Sequence, residues 1–192
     1  MPTLQPPWRR GEKQSTLPIS AGDSTVGLLR HALEYADVHG LAVLPVSPAI
    51  KGDGRPDKRP LTPHGVKDAT RDPALIRHWW EERFPGAMIG VALGEISGGW
   101  IVVDIDAKNG KASGFDTMHD LACRGFMLKP TEGCVLTPSN GLHLWFRSSL
   151  PCPPSRALPG IDILSDGKYV IAPPSRLADG RCYEFLTYGG PQ

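Results

Sequence analysis

The sequence predicts an α+β protein in which helices flank a mostly antiparallel sheet. Helical periodicity dominates the first part of the chain, whereas short apolar runs separated by turn residues dominate the rest. The 22 glycines and 20 prolines, without any low-complexity repeat, indicate many turns in a globular fold. Helices followed by a succession of short strands are typical of the α+β class.

An N-terminal α/β unit and a second helix are the first predicted elements. Residues 23–40 carry apolar side chains at helical spacing, and residues 41–46 form a strand-like apolar run. After a charged loop, Asp72–Pro73 predicts the start of the second helix, because Asp caps helices and Pro suits their first position. Trp79 and Trp80 lie on the apolar side of this helix, where we expect them to be buried.

One embedded helix, over residues 114–124, and a series of short strands complete the predicted fold. The predicted strands cover residues 88–93, 99–106, 133–138, 141–146, 160–164, 168–174 and 183–186. Residues 1–22 contain four prolines and no periodicity, so we expect an extended arm there and a single domain over residues 23–188.

Charge and composition argue against several classes of protein. Lys and Arg number 21 against 20 Asp and Glu, so a nucleic acid would have to be bound by local basic patches rather than by bulk charge. Four scattered cysteines and an N-terminus without an apolar stretch favour a reduced, cytoplasmic protein. No segment approaches the roughly 18 apolar residues of a membrane span, so we expect no membrane partner.

Two carboxylates end the most apolar predicted strand. Side chains of Ile101–Asp106 alternate between the faces of the sheet, which puts Asp104 and Asp106 on one face. Two like charges this close are costly on a half-buried surface without a counter-charge, and Mg²⁺ or Mn²⁺ would supply one. The alternative is that the strand surfaces here and both aspartates are solvated.

A histidine lies in a later amphipathic strand. The apolar residues of the 141–146 strand alternate with Gly141 and His143, so we expect the apolar set to be buried and these two residues to share an open face. A histidine beside a small residue can approach a phosphate closely, and Asn140 with Gly141 could form a tight turn with exposed N–H groups. A surface histidine without a ligand is the alternative.

A third carboxylate, Asp162, interrupts another apolar strand, and a turn that contains Lys168 follows it. If Asp162 faces Asp104 and Asp106 in the fold, the three carboxylates could hold two metal ions, and Lys168 could pair with a phosphate. A lone aspartate at a strand edge is otherwise commonly structural.

The order of these motifs resembles the archaeo-eukaryotic primase superfamily, and within it the bifunctional primase–polymerase (prim-pol) domain of plasmid and phage replication proteins. The resemblance extends to the segments KRPLTPHGVKDATRDPALIRHWW (58–80), IGVALGEISGGWIVVDID (89–106) and DILSDGKYVIAPPS (162–175), and it covers about residues 23–185. It implies a primase-type core with an RRM-like sheet.

The resemblance further implies a template-directed nucleotidyltransferase, a DNA primase and polymerase. Asp104, Asp106 and Asp162 would hold two Mg²⁺ or Mn²⁺ ions, one activating a 3′-hydroxyl and the other binding the triphosphate of the incoming nucleotide. His143 would contact this triphosphate, and Gly141 would give the backbone room to approach it. The implied partners are a single-stranded DNA template and nucleoside triphosphates, either NTP or dNTP.

Several neighbouring residues gain candidate roles from the same resemblance. Lys58 and Arg59 are candidates for contacts with nucleotide or template phosphates, with solvated loop charges as the alternative. The tryptophan pair of the second helix could stack on the template instead of being buried. The APPS segment, residues 172–175, would shape a turn beside the site.

The chain lacks two features found among such replication proteins. Some relatives carry a zinc-binding insertion, and here only His119, Cys123 and Cys134 could in principle converge on such a metal. No phosphate-binding GxxxxGK[ST] loop occurs, so a helicase that works with this domain would lie outside these residues.

Two other functions remain open at the level of the sequence. A metal-dependent nuclease would use the same carboxylates to hydrolyse a phosphodiester. A catalytically silent module would bind single-stranded DNA without a metal and would tolerate the loss of the carboxylates. The presence of aspartate at all three positions, 104, 106 and 162, argues against the silent module, because clustered negative charge is costly unless a cation is bound.

Overall fold

The computed structural model describes residues 24–107, 113–126, 131–149 and 152–186, and the predicted arm over residues 1–22 lies outside them. The helices are α1 (Ser24–Asp37), α2 (Pro73–Arg77), which continues as a π-helical segment (His78–Arg83), and α3 (Gly114–Cys123). The strands are β1 (Val43–Val46), β2 (Met88–Ala92), β3 (Trp100–Ile105), β4 (Gly133–Leu136), β5 (Leu142–Arg147), β6 (Ser155–Leu158), β7 (Ile161–Leu164), β8 (Tyr169–Ile171) and β9 (Glu184–Phe185).

The described strands form two sheets, and all neighbouring strands in them are antiparallel. The small sheet has the order β1-β2-β8, and the large sheet has the order β6-β7-β3-β5-β4-β9. The α+β class and the antiparallel pairing are confirmed. Sequence alternation did not indicate the division into two sheets, because it tells which residues share a face but not which strands pair. It also missed β6, a short segment without apolar alternation.

One core joins the small sheet, the N-terminal helices and the large sheet. β1 and β2 are buried along their whole length, and a single cluster of buried side chains connects them to α1, to the π-helical segment and to β3, β4 and β5. The predicted burial of Trp79 and Trp80 is confirmed, and the Trp80 indole N–H donates to Ala87 O at 2.9 Å. Truncating such a side chain to alanine typically costs about 3–5 kcal/mol.

The inner face of β3 changes from apolar to acidic along the strand. Trp100 and Val102 are buried in the shared core, whereas Asp104, the next residue on this face, has a side chain that is 28% exposed. Asp106 follows just beyond the end of the strand. The core therefore ends where the carboxylates begin.

None of the helices within the described ranges combines the length and the apolar character that crossing a lipid bilayer requires.

Candidate functional site

Asp104 lies between Asp162 and His143 in the large sheet. β3 pairs with β7 on one side, which places Asp104 opposite Asp162, and with β5 on the other, which places it opposite His143. Directly opposed residues of antiparallel strands project from the same face, with Cβ atoms about 4.5–5.5 Å apart. The fold therefore brings these three residues, which are far apart in sequence, into one row, called the acidic row below.

Asp106 is fixed beside this row by hydrogen bonds to its backbone. Its N–H donates to Gly160 O at 2.9 Å, and its carbonyl accepts a hydrogen bond from the Gly114 N–H at 2.9 Å. Gly114 and Gly160 touch so closely that a Cβ on either one would overlap the backbone of the other. These two glycines let the start of α3 and the turn before β7 meet at Asp106.

The donor set suits a divalent ion, although it is not a closed cage. Carboxylate oxygens are the ligands that Mg²⁺ and Mn²⁺ prefer. Within the described ranges, no group of three or more His, Cys, Asp or Glu side chains is arranged so that it could hold a metal ion by itself. Mg²⁺ is usually held by one or two carboxylates, while waters and substrate phosphates complete its shell. Adjacent carboxylates without a closed cage fit this open type of site.

His143 lies on the buried face of β5, so the expected open face is wrong. His143 and Trp145 are 7% and 3% exposed, whereas Leu142 and Leu144 on the other face are partly exposed. Side chains of β5 alternate between the two faces as predicted, but the face that carries His143 is the buried one, not the face that carries Leu142 and Leu144. The reason is tertiary: the buried face of β5 shares the core with the small sheet, and the Tyr183 ring packs 6.0 Å from the imidazole.

Burial makes His143 a neutral imidazole. Burial and the positive charge of Lys58 lower the pKa of His143 to about 4, although the negative charge of Asp106 acts in the opposite direction. The Nε2 atom lies 3.7 Å from Asp104 Oδ1, which is longer than a hydrogen bond, and a neutral ring forms no ion pair. Nδ1 is buried without a hydrogen-bond partner. Packing therefore holds the imidazole beside Asp104.

The lowered pKa of His143 predicts a loss of stability in acid. Because the folded state binds this proton less readily than the unfolded state, the contribution of His143 is complete above about pH 6.5 and decreases as the pH falls towards 4. We expect His143→Gln to lose less stability than wild type over this interval, by on the order of 2–3 kcal/mol. Urea unfolding in metal-free buffers at several pH values measures this difference. His119→Gln, on the exposed side of α3, should follow the wild-type curve; an identical slope in His143→Gln would contradict the prediction.

Lys58 reaches the carboxylates from the loop after β1. Its Nζ lies 5.4 Å from the centre of the Tyr183 ring, within cation–π distance. Burial lowers the pKa of Lys58, and the nearby charges of Asp104 and Asp106 act in the opposite direction. Its backbone has a φ of 50°, and its carbonyl accepts a hydrogen bond from Tyr169 Oη at 2.6 Å. A left-handed conformation costs a lysine about 1–2 kcal/mol, and such outliers cluster at functional sites.

Tyr183 is a member of the site that the sequence analysis missed. It is 1% exposed, burial raises the pKa of its hydroxyl, and its ring contacts both His143 and Lys58. Its N–H donates to Ser175 O at 3.0 Å, and Ser175 Oγ accepts from the Ile89 N–H at 2.8 Å. The turn that contains Ser175 therefore anchors Tyr183. An aromatic residue in a short apolar run looks like any core residue, so no local signal singles it out.

The turn before β5 uses its N–H groups internally, so the expectation of exposed N–H groups is wrong. The N–H groups of Asn140 and Gly141 donate to Thr137 O at 2.9 Å and to Thr137 Oγ1 at 3.0 Å. A Cβ on Gly141 would lie 2.5 Å from Ile105 O. The close approach that Gly141 permits is therefore that of β3, which helps to position the residues on either side of Ile105.

Lys168 is not brought together with the acidic row. The carbonyl of Lys168 accepts a hydrogen bond from the Leu93 N–H. Gly94, which follows Leu93, pairs with Trp100 at the start of β3. Asp104 lies four residues further along this strand, a distance of about 13 Å. The turn that contains Lys168 therefore lies near the start of β3, whereas Asp104 lies near its end. The sequence did not indicate this, because the position of a turn relative to the sheet depends on strand order.

The surroundings of two further groups from the sequence analysis are as follows. Arg59 is exposed and pairs with Asp57, with 3.1 Å between Nε and Oδ2. His119 and Cys123 lie 3.6 Å apart on α3, whereas Cys134 is buried in β4, and these three form no metal-ligand group.

Two surface cavities of the described residues lie away from the acidic row. One of about 350 Å³ lies between α1 and α2, and one of about 330 Å³ lies beside Trp79 and Phe84. Polyphosphates are bound through charge-assisted hydrogen bonds and metal ions rather than by apolar enclosure. The partly exposed Asp104, with Asp162, Asp106, His143 and Lys58 around it, is therefore the stronger candidate.

Comparison with protein families adds an independent observation. The family model described as "Bifunctional DNA primase/polymerase, N-terminal" matches residues 32–191, which is most of the chain. The matched range contains the acidic row, Asp106, Lys58 and Tyr183. A comparison with curated proteins found no match.

Proposed function

This chain belongs to the Prim-Pol family of bifunctional DNA primase/polymerase domains, and on that basis we propose that it is a template-directed nucleotidyltransferase that uses two divalent metal ions. A DNA primase/polymerase type of function follows from the family. The metals, the residues that bind them and a role in replicating plasmid, phage or other mobile DNA belong to the proposal.

The observation that carries the proposal is the register of β3 with its two neighbours. It puts two carboxylates and an imidazole side by side, with Asp106 immediately beyond them. Like charges in such proximity repel each other, so the arrangement has a cost that bound cations remove. Carboxylates that served only to keep the surface soluble would not have to lie this close together.

Asp104, Asp106 and Asp162 would hold two Mg²⁺ or Mn²⁺ ions. When bound, such ions activate the 3′-hydroxyl of the growing strand and neutralise the triphosphate of the incoming nucleotide. The protein contributes mainly positioning and electrostatics, since phosphoryl transfer needs little covalent chemistry from side chains. The hydrogen bonds that fix Asp106 on both sides of its backbone serve this positioning.

His143 and Lys58 would bind the phosphates on the β5 side of Asp104. A neutral imidazole can donate one N–H to a phosphate oxygen without bringing a second positive charge beside Lys58. Tyr183 contacts both side chains and keeps them in place, so that little ordering is needed when the nucleotide arrives.

Primer extension and de novo synthesis on single-stranded DNA test the proposal. With Mg²⁺ or Mn²⁺ and labelled NTP or dNTP, we expect products whose sequence follows the template, and we expect a chelator to abolish them. Omission of either the template or the triphosphate should also abolish them. Failure to form product under all of these conditions would contradict the assignment.

The same reactions separate the two alternative functions. A metal-dependent nuclease would shorten end-labelled DNA without needing a triphosphate. A silent binding module would retain single-stranded DNA in the presence of a chelator and would bind it equally well after substitution of the carboxylates.

A further inference from the structure

An Asp-Gly-Arg turn occurs twice in this chain, at residues 179–181 and at residues 53–55. Arg181 pairs with Asp179 through Nε at 2.9 Å and Nη2 at 2.7 Å. Arg55 pairs with Asp53 in the same way, through Nε at 2.8 Å and Nη2 at 2.6 Å. In both turns the backbone N–H of the arginine donates to the same aspartate. The local geometry alone therefore gives Arg181 no special role.

The surroundings of the two arginines differ. Arg181 is two residues before Tyr183, and its Nη1 lies 3.5 Å from Pro138 O in the turn that leads into β5. Its guanidinium therefore lies between the segment that carries Tyr183 and the turn that precedes His143. Arg55 lies three residues before Lys58 on the same loop, and among the described residues its side chain has a recorded contact only with Asp53.

The charge of Arg181 acts on the site itself. It lowers the pKa values of Lys58 and Tyr183, although burial is the largest influence on each and raises that of Tyr183. Two positive charges thus lie on the β5 side of Asp104, where His143 also lies. The Arg181 side chain is 42% exposed and is held by Asp179, so its orientation is set before a ligand binds.

We propose that Arg181 forms the outer end of a subsite for the phosphate groups of a nucleoside triphosphate, with Lys58 and His143 at its inner end. This inference rests on the proposed function. A triphosphate extends over several ångströms and carries several negative charges, so it can contact Lys58 and Arg181 at the same time. A guanidinium presents planar N–H donors that match phosphate oxygens. The triphosphate is favoured over the template backbone because Arg181 lies on the side of Lys58 and His143.

Binding of nucleoside mono-, di- and triphosphates tests the subsite without a requirement for turnover. Dissociation constants would be measured by calorimetry with Mn²⁺ for wild type, Arg181→Gln, Arg181→Lys and Arg55→Gln. We expect Arg181→Gln to weaken triphosphate binding about tenfold or more and monophosphate binding less than about twofold. Arg181→Lys should retain part of the affinity. Arg55→Gln is the matched control, because it removes the same side chain from the same type of turn, and it should bind like wild type.

Three results would overturn the inference. Equal losses of affinity for the monophosphate and the triphosphate would mean that Arg181 does not contact the outer phosphate groups. Unchanged triphosphate affinity with weaker binding of single-stranded DNA would assign Arg181 to the template instead. Wild-type protein that binds DNA but no triphosphate would remove the proposed function together with this inference, whereas failure of Arg181→Gln alone would leave the proposed function intact. Equal urea unfolding midpoints for Arg181→Gln and Arg55→Gln verify that the fold is preserved.

Discussion

Asp104→Asn is expected to lower template-directed incorporation by about a thousandfold or more without weakening the fold. Asp104 is the central carboxylate, since β3 places it between Asp162 and His143. Metal-ion stabilisation of the charges in phosphoryl transfer is worth several kcal/mol, and each 1.4 kcal/mol corresponds to about a factor of ten in rate. Steady-state incorporation of labelled nucleotide into a primed template measures the loss. Mn²⁺ binding, followed by electron paramagnetic resonance, should weaken in parallel.

Stability distinguishes this loss from a damaged fold. Removing the charge of Asp104 relieves its repulsion with the other carboxylates but also removes its attraction to Lys58, so the unfolding temperature of Asp104→Asn in metal-free buffer should change little. Asp120→Asn, at an exposed position of α3, removes an equal charge away from the acidic row and should keep full activity. Full activity in Asp104→Asn would show that this carboxylate binds no essential metal.

Gly160→Ala is expected to destabilise the protein and to reduce activity together. Gly160 has a φ of 72°, and a Cβ there would overlap the backbone of Gly114. Overpacking of this kind typically costs about 1–3 kcal/mol, in addition to about 1–2 kcal/mol for the left-handed conformation. Because Gly160 O accepts the hydrogen bond from Asp106, relief of the overlap has to move a proposed metal ligand. Urea denaturation and the incorporation assay measure the two effects.

Gly167→Ala separates the two causes. Gly167 has a φ of 74°, almost the value at Gly160, but nothing lies within 4 Å of a Cβ built on it. We expect this variant to lose only about 1–2 kcal/mol and to remain active. If both variants lose the same free energy of unfolding, the contact between Gly114 and Gly160 contributes nothing to the position of Asp106.

Much of the fold was predictable because the signals for it are local. The Asp72–Pro73 start of α2 is formed as expected: the Asp72 carboxylate accepts a hydrogen bond from the Ala74 N–H, and Pro73 is the first helical residue. The β3 strand itself was also predicted, over residues 99–106, and the structure forms it over Trp100–Ile105.

Two of the expectations that proved wrong depended on what lies across a sheet or beyond its edge. For His143 the face was right but its burial was wrong, because the small sheet and Tyr183 cover that side. Lys168 follows Asp162 closely in sequence, yet its turn lies at the far end of β3. Tyr183 offered no signal at all, because its role comes from the side chains that it contacts.

The fold class and most of the strands could be predicted from the amino-acid sequence, because they follow from periods of two and 3.6 residues along the chain. The positions of Asp162 and His143 on either side of Asp104, and of Lys58 over the Tyr183 ring, depend instead on how the strands and loops are assembled. Strand order and register are fixed by the burial of side chains from all parts of the fold together. A local sequence pattern reports only the residues within it, so it cannot give strand order or register.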